Sequence, residues 1–241
     1  MASLLIHINF YIFLAVFIIA LTRNRNFNTV LVGITYMAPL VPLGLSPETA
    51  ERFLLVSFCN LIFGIIEVVV FVLTVKPGDT PFDKKHLKQL FGHTLPIVAA
   101  LVGLSFMGRA TAIPVSTLEL TLIILLFTFG SVMRVVAIYQ IGAVAFKFDI
   151  VFRQEQKLKT DQLHGLMRHP SYTAMMLVVV SYAVISHSLV WGAVGIVSAW
   201  AGFQYRIYHE ETALAEQFGE EYQAFRSSTG MWFPRVNQRK K

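Results

Sequence analysis

Apolar runs long enough to cross a lipid bilayer set the main limit on what this chain can fold into. They lie at about 4–21, 29–45, 53–75, 93–107, 117–141 and 173–207. One helical crossing needs about 20 apolar residues, so the last run is too long for a single span. We divide it into a helical hairpin that turns near Ser186, His187 and Ser188. The sequence therefore predicts an all-α, polytopic transmembrane helical bundle with about seven spans.

The first apolar run also argues against a cleaved leader. It comprises Leu4–Leu21, and no basic residue precedes it. A secretory signal normally has a basic start and a shorter apolar core, so we expect this run to be retained as a membrane helix. The composition agrees, because 55% of the residues are hydrophobic, only 14% are charged, and the mean hydropathy is +0.61. These values lie outside the range of ordinary soluble domains.

The basic residues predict the orientation of the bundle. If the N-terminus is outside, seventeen of the 20 Lys and Arg residues fall on the inner side, Arg52 and Arg109 fall outside, and Arg134 lies within a span. This asymmetry follows the positive-inside rule. Orientation thus accounts for the net charge of +6, and the charge does not call for nucleic acid as a partner. We expect a multi-pass protein with a cytosolic C-terminus. The endoplasmic reticulum and a bacterial inner membrane fit this pattern equally well.

Residues suited to chemistry are concentrated near the C-terminus. The segments 142–172 and 206–241 contain nearly every His, Glu and Arg that could act in a polar site. Both segments fall on the predicted cytosolic side, at the two ends of the hairpin. We therefore expect one working end, which faces the cytosol.

This distribution divides the chain into two parts. We assign 1–141 to N-terminal transmembrane helices and 142–241 to a core that contains the hairpin 173–207 and a cytosolic C-terminal helix. In that helix, the stretch ETALAEQFGEEYQAFRSS has apolar residues every three to four positions. The spacing predicts an amphipathic helix with a break at Gly219.

The first polar cluster is RHPSY, residues 168–172, at the point where the hairpin enters the membrane. Pro170 suits the first turn of a helix, and a helix N-terminus attracts carboxylates and phosphates. A structural interpretation is also open, in which Arg168 snorkels, His169 caps the helix and Tyr172 belongs to the aromatic belt.

The second cluster is RIYHEE, residues 206–211, where the hairpin leaves the membrane. Arg206 and Glu210 are four residues apart and so lie on one helical face, which is compatible with a simple ion pair. A membrane hairpin returns to the side from which it started. The topology therefore predicts that the two clusters meet at the membrane boundary.

In this order and spacing, the motifs resemble those of the isoprenylcysteine carboxyl methyltransferase family of integral membrane enzymes. The similar residues run from LKTDQLHGLMRHPSY across the hairpin to RIYHEETALAEQFGEEYQAF and TGMWFPRV, roughly 80 residues and a third of the chain. The first 140 residues are similar only in being apolar helices. The family has Gly-x-Tyr shortly before RHP, whereas this chain has Gln162, Leu163 and His164 there.

The resemblance implies a methyltransferase that uses S-adenosyl-L-methionine without a Rossmann domain, and no G-x-G-x-x-G motif occurs in the sequence. It implies that the C-terminal third forms a cytosolic cofactor pocket and that Arg206 and Glu210 are the catalytic residues, with Arg206 facing the methyl acceptor. The implied cofactor contacts are Gln156, Lys157, Leu158, Lys159, His164, His169, Pro170, Ser171, Tyr172 and Glu210.

The acceptor is a separate question, because members of this broad family methylate prenylcysteine carboxylates, phospholipid amines or small thiols. A carboxylate is already ionised at neutral pH, so alignment dominates over proton removal, and Arg206 is a natural clamp for it. We therefore predict an isoprenylcysteine or similar lipid-like acceptor that enters laterally from the bilayer. Two other classes stay open: an NADPH-dependent enzyme that resembles the sterol reductases, and a membrane scaffold without activity.

Ionisable residues inside the apolar runs call for partners. Glu67 and Arg134 both lie within predicted spans, and we favour a structural ion pair between them over a role in a substrate path. The histidines show no metal-ligand spacing, and the single Cys59 lies in an apolar run. We therefore predict no metal site.

Overall fold

The computed structural model describes residues 2–41, 50–74, 84–142 and 157–235. Within these ranges the chain is helical, apart from one isolated bridge pair between Met167 and Gly230. The helices are α1 (Ala2–Arg23), α2 (Phe27–Met37), α3 (Ala50–Thr74), α4 (Lys84–Gln89), α5 (Leu95–Ala110), α6 (Thr117–Ile141), α7 (Gln162–Leu166), α8 (Pro170–Ser186) and α9 (Leu189–Ser228). The prediction of an all-helical protein is confirmed for the described residues.

Among the described residues, four helical segments are long and apolar enough to cross a membrane. They are Ala2–Arg23, Glu51–Thr74, His86–Ala110 and Thr117–Ile141. The segments Phe27–Leu40 and Pro170–Ser186 are apolar but shorter. The count of about seven spans therefore stays a prediction, although the protein has the apolar helices of an integral membrane protein.

The span predicted at 93–107 is longer in the structure. A π-helical turn, Leu90–Thr94, joins α4 to α5, so that the apolar segment runs from His86 to Ala110. Pro96 does not interrupt it, because Pro96 lies in the first turn of α5, where the amide that proline lacks has little effect on the hydrogen-bond pattern.

The terminal hairpin turns within the three residues predicted for the turn. Helix α8 ends at Ser186, His187 adopts a left-handed conformation with φ 49°, and Ser188 caps the start of α9. Helix α8 packs mainly against α6 and α9. A Cβ atom added at Gly130 of α6 would lie 2.8 Å from the carbonyl oxygen of Ala174, so glycine allows α6 and α8 to pack this closely.

Helix α9 continues beyond the membrane hairpin. The helix has no break at residue 207 and instead changes direction at Gly219, the predicted break, where φ is 50° and ψ is −120°. Residues near 210 therefore belong to the same continuous helix as the second half of the predicted hairpin. The division of the chain at 141 and 142 stays a prediction.

A buried arginine fixes the end of the bundle at the hairpin turn. Arg52, whose side chain is 0% exposed, donates through Nε to the carbonyl of Ile113 and through Nη1 to that of Ile185. Its Nη2 donates to Glu119 at 2.9 Å, and Glu119 also pairs with His187 at 2.6 Å. Sequence reasoning placed Arg52 only as an outer-side charge, because its partners lie on three distant segments of the chain.

Candidate functional site

The entrance to α8 is held by the chain that follows α9. The amide of Arg168 donates to the carbonyl of Gly230 at 2.8 Å, and the amide of His169 donates to that of Met231 at 3.1 Å. The hydroxyl of Thr173 donates to the carbonyl of Trp232 at 2.8 Å. The RHPSY segment is therefore fixed by backbone contacts on one side, and its side chains can point elsewhere.

Glu211 joins the two ends of the hairpin. Its Oε1 accepts from Nε of Arg168 at 2.8 Å and lies 3.2 Å from Nε2 of His169. Burial alone would raise the pKa of Glu211, but the hydrogen bonds with His169 and Arg168 outweigh it and lower the pKa to about 2. Glu211 is thus ionised across the physiological pH range. The predicted meeting of the two clusters is present in the structure.

Tyr172, Arg206 and Glu210 form a continuous polar chain. The Tyr172 hydroxyl donates to Glu210 at 2.5 Å and accepts from Nε of Arg206 at 3.2 Å, and Arg206 Nε also lies 2.7 Å from Glu210. Arg206 is 4% exposed, whereas the Glu210 side chain is 20% exposed. The guanidinium is consequently held in one orientation, and the carboxylate is in part accessible.

Aromatic rings are stacked beside this polar chain. The ring of Tyr172 is stacked on His169, with centroids 5.7 Å apart, and on Phe203, with centroids 5.6 Å apart. Trp232 meets Phe203 edge-on at 6.3 Å. Flat apolar faces therefore lie directly next to the charged groups, an arrangement that suits a ligand with both aromatic and ionic parts.

The Glu67–Arg134 ion pair predicted within the membrane is confirmed. Arg134 Nε lies 2.9 Å from Glu67 Oε1, and both side chains are about 5% exposed. Arg134 also donates to the hydroxyl of Ser171 in the first turn of α8. The pair thus connects α3 and α6 to the RHPSY segment.

An apolar crevice opens beside the site. Arg206, Tyr172 and the Glu67–Arg134 pair line it at polar positions. Most of its remaining lining is apolar, and comes from α2, α3, α5 and α8: Leu31, Val32, Phe71, Ile97, Val98, Leu101 and Met175. The N-terminal helices therefore contribute directly to the surroundings of the candidate site.

The predicted cofactor contacts are not all brought together. His169, Tyr172 and Glu210 meet one another, Pro170 begins α8, and the Ser171 hydroxyl is directed to Arg134. These positions agree with one shared centre for most of the RHPSY segment.

The remaining predicted cofactor contacts before His164 belong to the segment that precedes α7. Lys157 is exposed, Leu158 is half-buried, and Lys159 forms an ion pair with Asp161 at 2.7 Å. Gln156 lies outside the described residues. No hydrogen bond in the described ranges connects Lys157, Leu158 or Lys159 to Arg206 or Glu210.

His164 is buried in α7, with a relative exposure of 5%. Its Nδ1 has no hydrogen-bond partner among the described residues. Burial, followed by the positive charges of Lys159 and His169, lowers the pKa of His164 to about 4. The ring is therefore neutral at physiological pH.

Sequence reasoning missed the part played by Glu211. It assigned Glu210 to the site because Glu210 is four residues from Arg206, whereas Glu211 is directed to Arg168 and His169. A signal was present, since two adjacent acidic residues at the end of a hairpin face two basic groups at its start. In the described ranges, no cluster of three or more His, Cys, Asp or Glu side chains could hold a metal ion.

The fold and the site together define a helical membrane protein whose polar centre is assembled across a terminal hairpin. The model of the isoprenylcysteine carboxyl methyltransferase family matches residues 122–216. In Arabidopsis thaliana, protein-S-isoprenylcysteine O-methyltransferase B is 32% identical over 125 residues, and the A form is 31% identical over 109 residues. These matches cover 51% and 45% of this chain and span 61% and 55% of the relatives.

A solved structure is similar over nearly the whole chain. The eukaryotic intramembrane Ras methyltransferase ICMT superposes with a TM-score of 0.53, covering 95% of this chain and 85% of that one, at 17% sequence identity. At this identity the likeness concerns the fold. The predicted resemblance to the isoprenylcysteine carboxyl methyltransferase family is confirmed: the family model matches part of the chain, and the chain spans less than two thirds of the length of the two Arabidopsis relatives.

Proposed function

We propose that this protein transfers a methyl group from S-adenosyl-L-methionine to the carboxylate of an isoprenylcysteine or a similar lipid-like acceptor at the membrane surface. The observation that carries the proposal is the chain formed by Tyr172, Arg206 and Glu210, which lies beside stacked aromatic rings and lines an apolar crevice. The match to the family model and the names of the Arabidopsis relatives support the same reaction class.

The residues around His169 fit the cofactor. The partly exposed carboxylate of Glu210 suits a cationic group, and the aromatic stack of His169, Tyr172 and Phe203 gives the site an aromatic wall. The buried Nδ1 of His164, which lacks a protein partner in the described ranges, offers a further polar contact. When bound, S-adenosyl-L-methionine supplies an electrophilic methyl group on a sulfonium.

Arg206 is the proposed holder of the acceptor. Glu210 and Tyr172 fix the direction of its Nε, so the guanidinium does not need to reorganise when an anion arrives. A carboxylate oxygen is the nucleophile, the C–O bond forms as the C–S bond breaks, and no proton is transferred. The chain is therefore required to align two reactants and to exclude water.

Arg206→Ala and Glu210→Ala test the assignment, with Arg23→Ala as the exposed control. Methyl transfer to N-acetyl-S-farnesylcysteine should fall at least about a hundredfold in Arg206→Ala, since a hydrogen bond to a charged group is lost in the transition state. Glu210→Ala should also weaken binding of S-adenosylhomocysteine in isothermal titration. Unchanged transfer in both variants would contradict the assignment.

The same titration separates the other classes. The purified protein should bind S-adenosylhomocysteine and not NADPH. Binding of NADPH alone would favour a reductase, and binding of neither would favour a scaffold.

A further inference from the structure

The apolar crevice adjoins a smaller polar chamber. Asn28, His93, Thr94 and Arg206 line both spaces. Gln89 and His86 of α4 also line the chamber. No acidic side chain is among the described residues that line it.

Two amide groups at this chamber are buried without a hydrogen-bond partner in the described part of the chain. They are Nδ2 of Asn28, a residue that is 2% exposed, and Nε2 of Gln89. Both are donors only, and a buried donor that stays unsatisfied costs about 1–3 kcal/mol. Native proteins rarely keep two such groups on one cavity unless a ligand or water accepts from them.

The guanidinium of Arg206, which lines the same chamber, favours an anion as the acceptor for these two amides. Arg206 adds a cation to the two amide donors, but its Nε is already engaged by Glu210 and Tyr172. Because Glu210 already neutralises the guanidinium of Arg206, a bound anion needs further hydrogen-bond donors. The two amides can provide them. The adjoining crevice is apolar, so the ligand that fits both spaces has an acyl or prenyl chain and an anionic head.

We propose that Asn28 and Gln89 recognise the carboxylate head group of the methyl acceptor, with Arg206 on the opposite side. This inference rests on the proposed methyltransferase function and assigns acceptor recognition to α2 and α4. Both helices lie outside residues 122–216, the region that matches the family model. Acceptor recognition thus combines Arg206, which lies inside the matched region, with two residues outside it.

Equilibrium binding, measured in detergent with S-adenosylhomocysteine present, tests the proposal without relying on turnover. The probes are N-acetyl-S-farnesylcysteine and its carboxamide, which share the chain and differ in the charge of the head group. The wild-type protein should prefer the carboxylate. In Asn28→Leu and Gln89→Leu this preference should fall roughly tenfold or more, because donors to a charged acceptor are removed.

Asn28→Asp provides a variant that preserves the shape of the side chain. A second carboxylate should repel the acid and still accept from the carboxamide, so the order of preference should shift towards the carboxamide. Gln217→Leu, at an exposed position of α9, should leave the preference at its wild-type value. S-adenosylhomocysteine affinity should be similar in all variants.

An equal preference in the wild-type protein and in the three chamber variants overturns the inference, and would assign the two amides to ordered water. A wild-type protein that binds neither probe also overturns it. If the carboxylate binds with the expected preference but is not methylated, the proposed reaction fails and the recognition site stands.

Discussion

Arg168 and Glu211 are 43 positions apart in the chain, yet their side chains meet at 2.8 Å. One residue precedes the terminal hairpin and the other follows it, so the contact closes the hairpin at its polar end. His169 shares the same carboxylate oxygen at 3.2 Å. The site therefore depends on how the two helices of the hairpin are aligned. The buried carboxylate of Glu211 makes these contacts only when the two ends of the hairpin lie side by side.

Glu211→Gln should lower the stability of the protein at neutral pH. The substitution leaves Arg168 without its buried counter-ion, at a cost of about 3 kcal/mol. Thermal unfolding in detergent measures the effect, and Glu220→Gln, at an exposed position on the same helix, is the control.

The loss should also depend on pH. Because the folded-state pKa of Glu211 is lowered from 4.5 to about 2, its contribution is complete above about pH 4.5 and is lost as the pH falls towards 2. The difference in unfolding temperature between the wild type and Glu211→Gln should therefore narrow over that interval. A difference that stays constant from pH 7 to pH 3 would contradict this assignment.

The predicted orientation can be measured with engineered thiols. Leu189, at the hairpin turn, is 94% exposed, and Gln223 is exposed beyond the break in α9. In intact cells, an impermeant maleimide should label Leu189→Cys directly and Gln223→Cys only after permeabilisation. The buried Cys59 should give little background. Labelling of both positions from the same side would contradict the proposed topology.

Arg52→Met should destabilise the opposite end of the bundle. Glu119 would lose a buried partner, and four backbone carbonyls would lose a donor, so we expect a loss of about 3–5 kcal/mol in the free energy of unfolding. Adding Glu119→Gln should cost less in Arg52→Met than in the wild type, because the two residues form one network. Additive losses would exclude that coupling, and Arg23→Met is the exposed control.

Local patterns predicted much of the architecture. The apolar runs indicated the helices, and the length of 173–207 required a reversal, which the structure places at His187. Hairpin topology then predicted that Arg168 and Glu210 lie at one end of the bundle. Each of these inferences uses either residues that are close in sequence or the requirement that both ends of a hairpin lie on the same side of the membrane.

Contacts between remote segments could not be predicted in the same way. Asn28 and Gln89 approach Arg206 only because α2, α4 and α9 pack around one crevice. Their amides look like ordinary polar residues near the ends of apolar runs. Likewise, Arg52 and Glu119 are brought together by the packing of separate helices, and no spacing in the sequence predicts their contact.

The contact between the π-helical turn and α9 gives a further prediction. His93 Nδ1 lies 3.0 Å from the carbonyl oxygen of Gly202, and because a carbonyl only accepts, Nδ1 carries the proton. A Cβ added at Gly202 would lie 2.8 Å from the His93 carbonyl oxygen, which is backbone and cannot turn aside. Gly202→Ala should therefore push α5 away from α9 and displace His93 from the crevice. We expect methyl transfer to fall at least about tenfold, with a lower unfolding temperature.

Gly103→Ala is the matched control, because nothing lies within 4 Å of its added Cβ, and it should keep full activity and equal or greater stability. Equal activity in the two alanine variants would show that the close contact at Gly202 does not support the site.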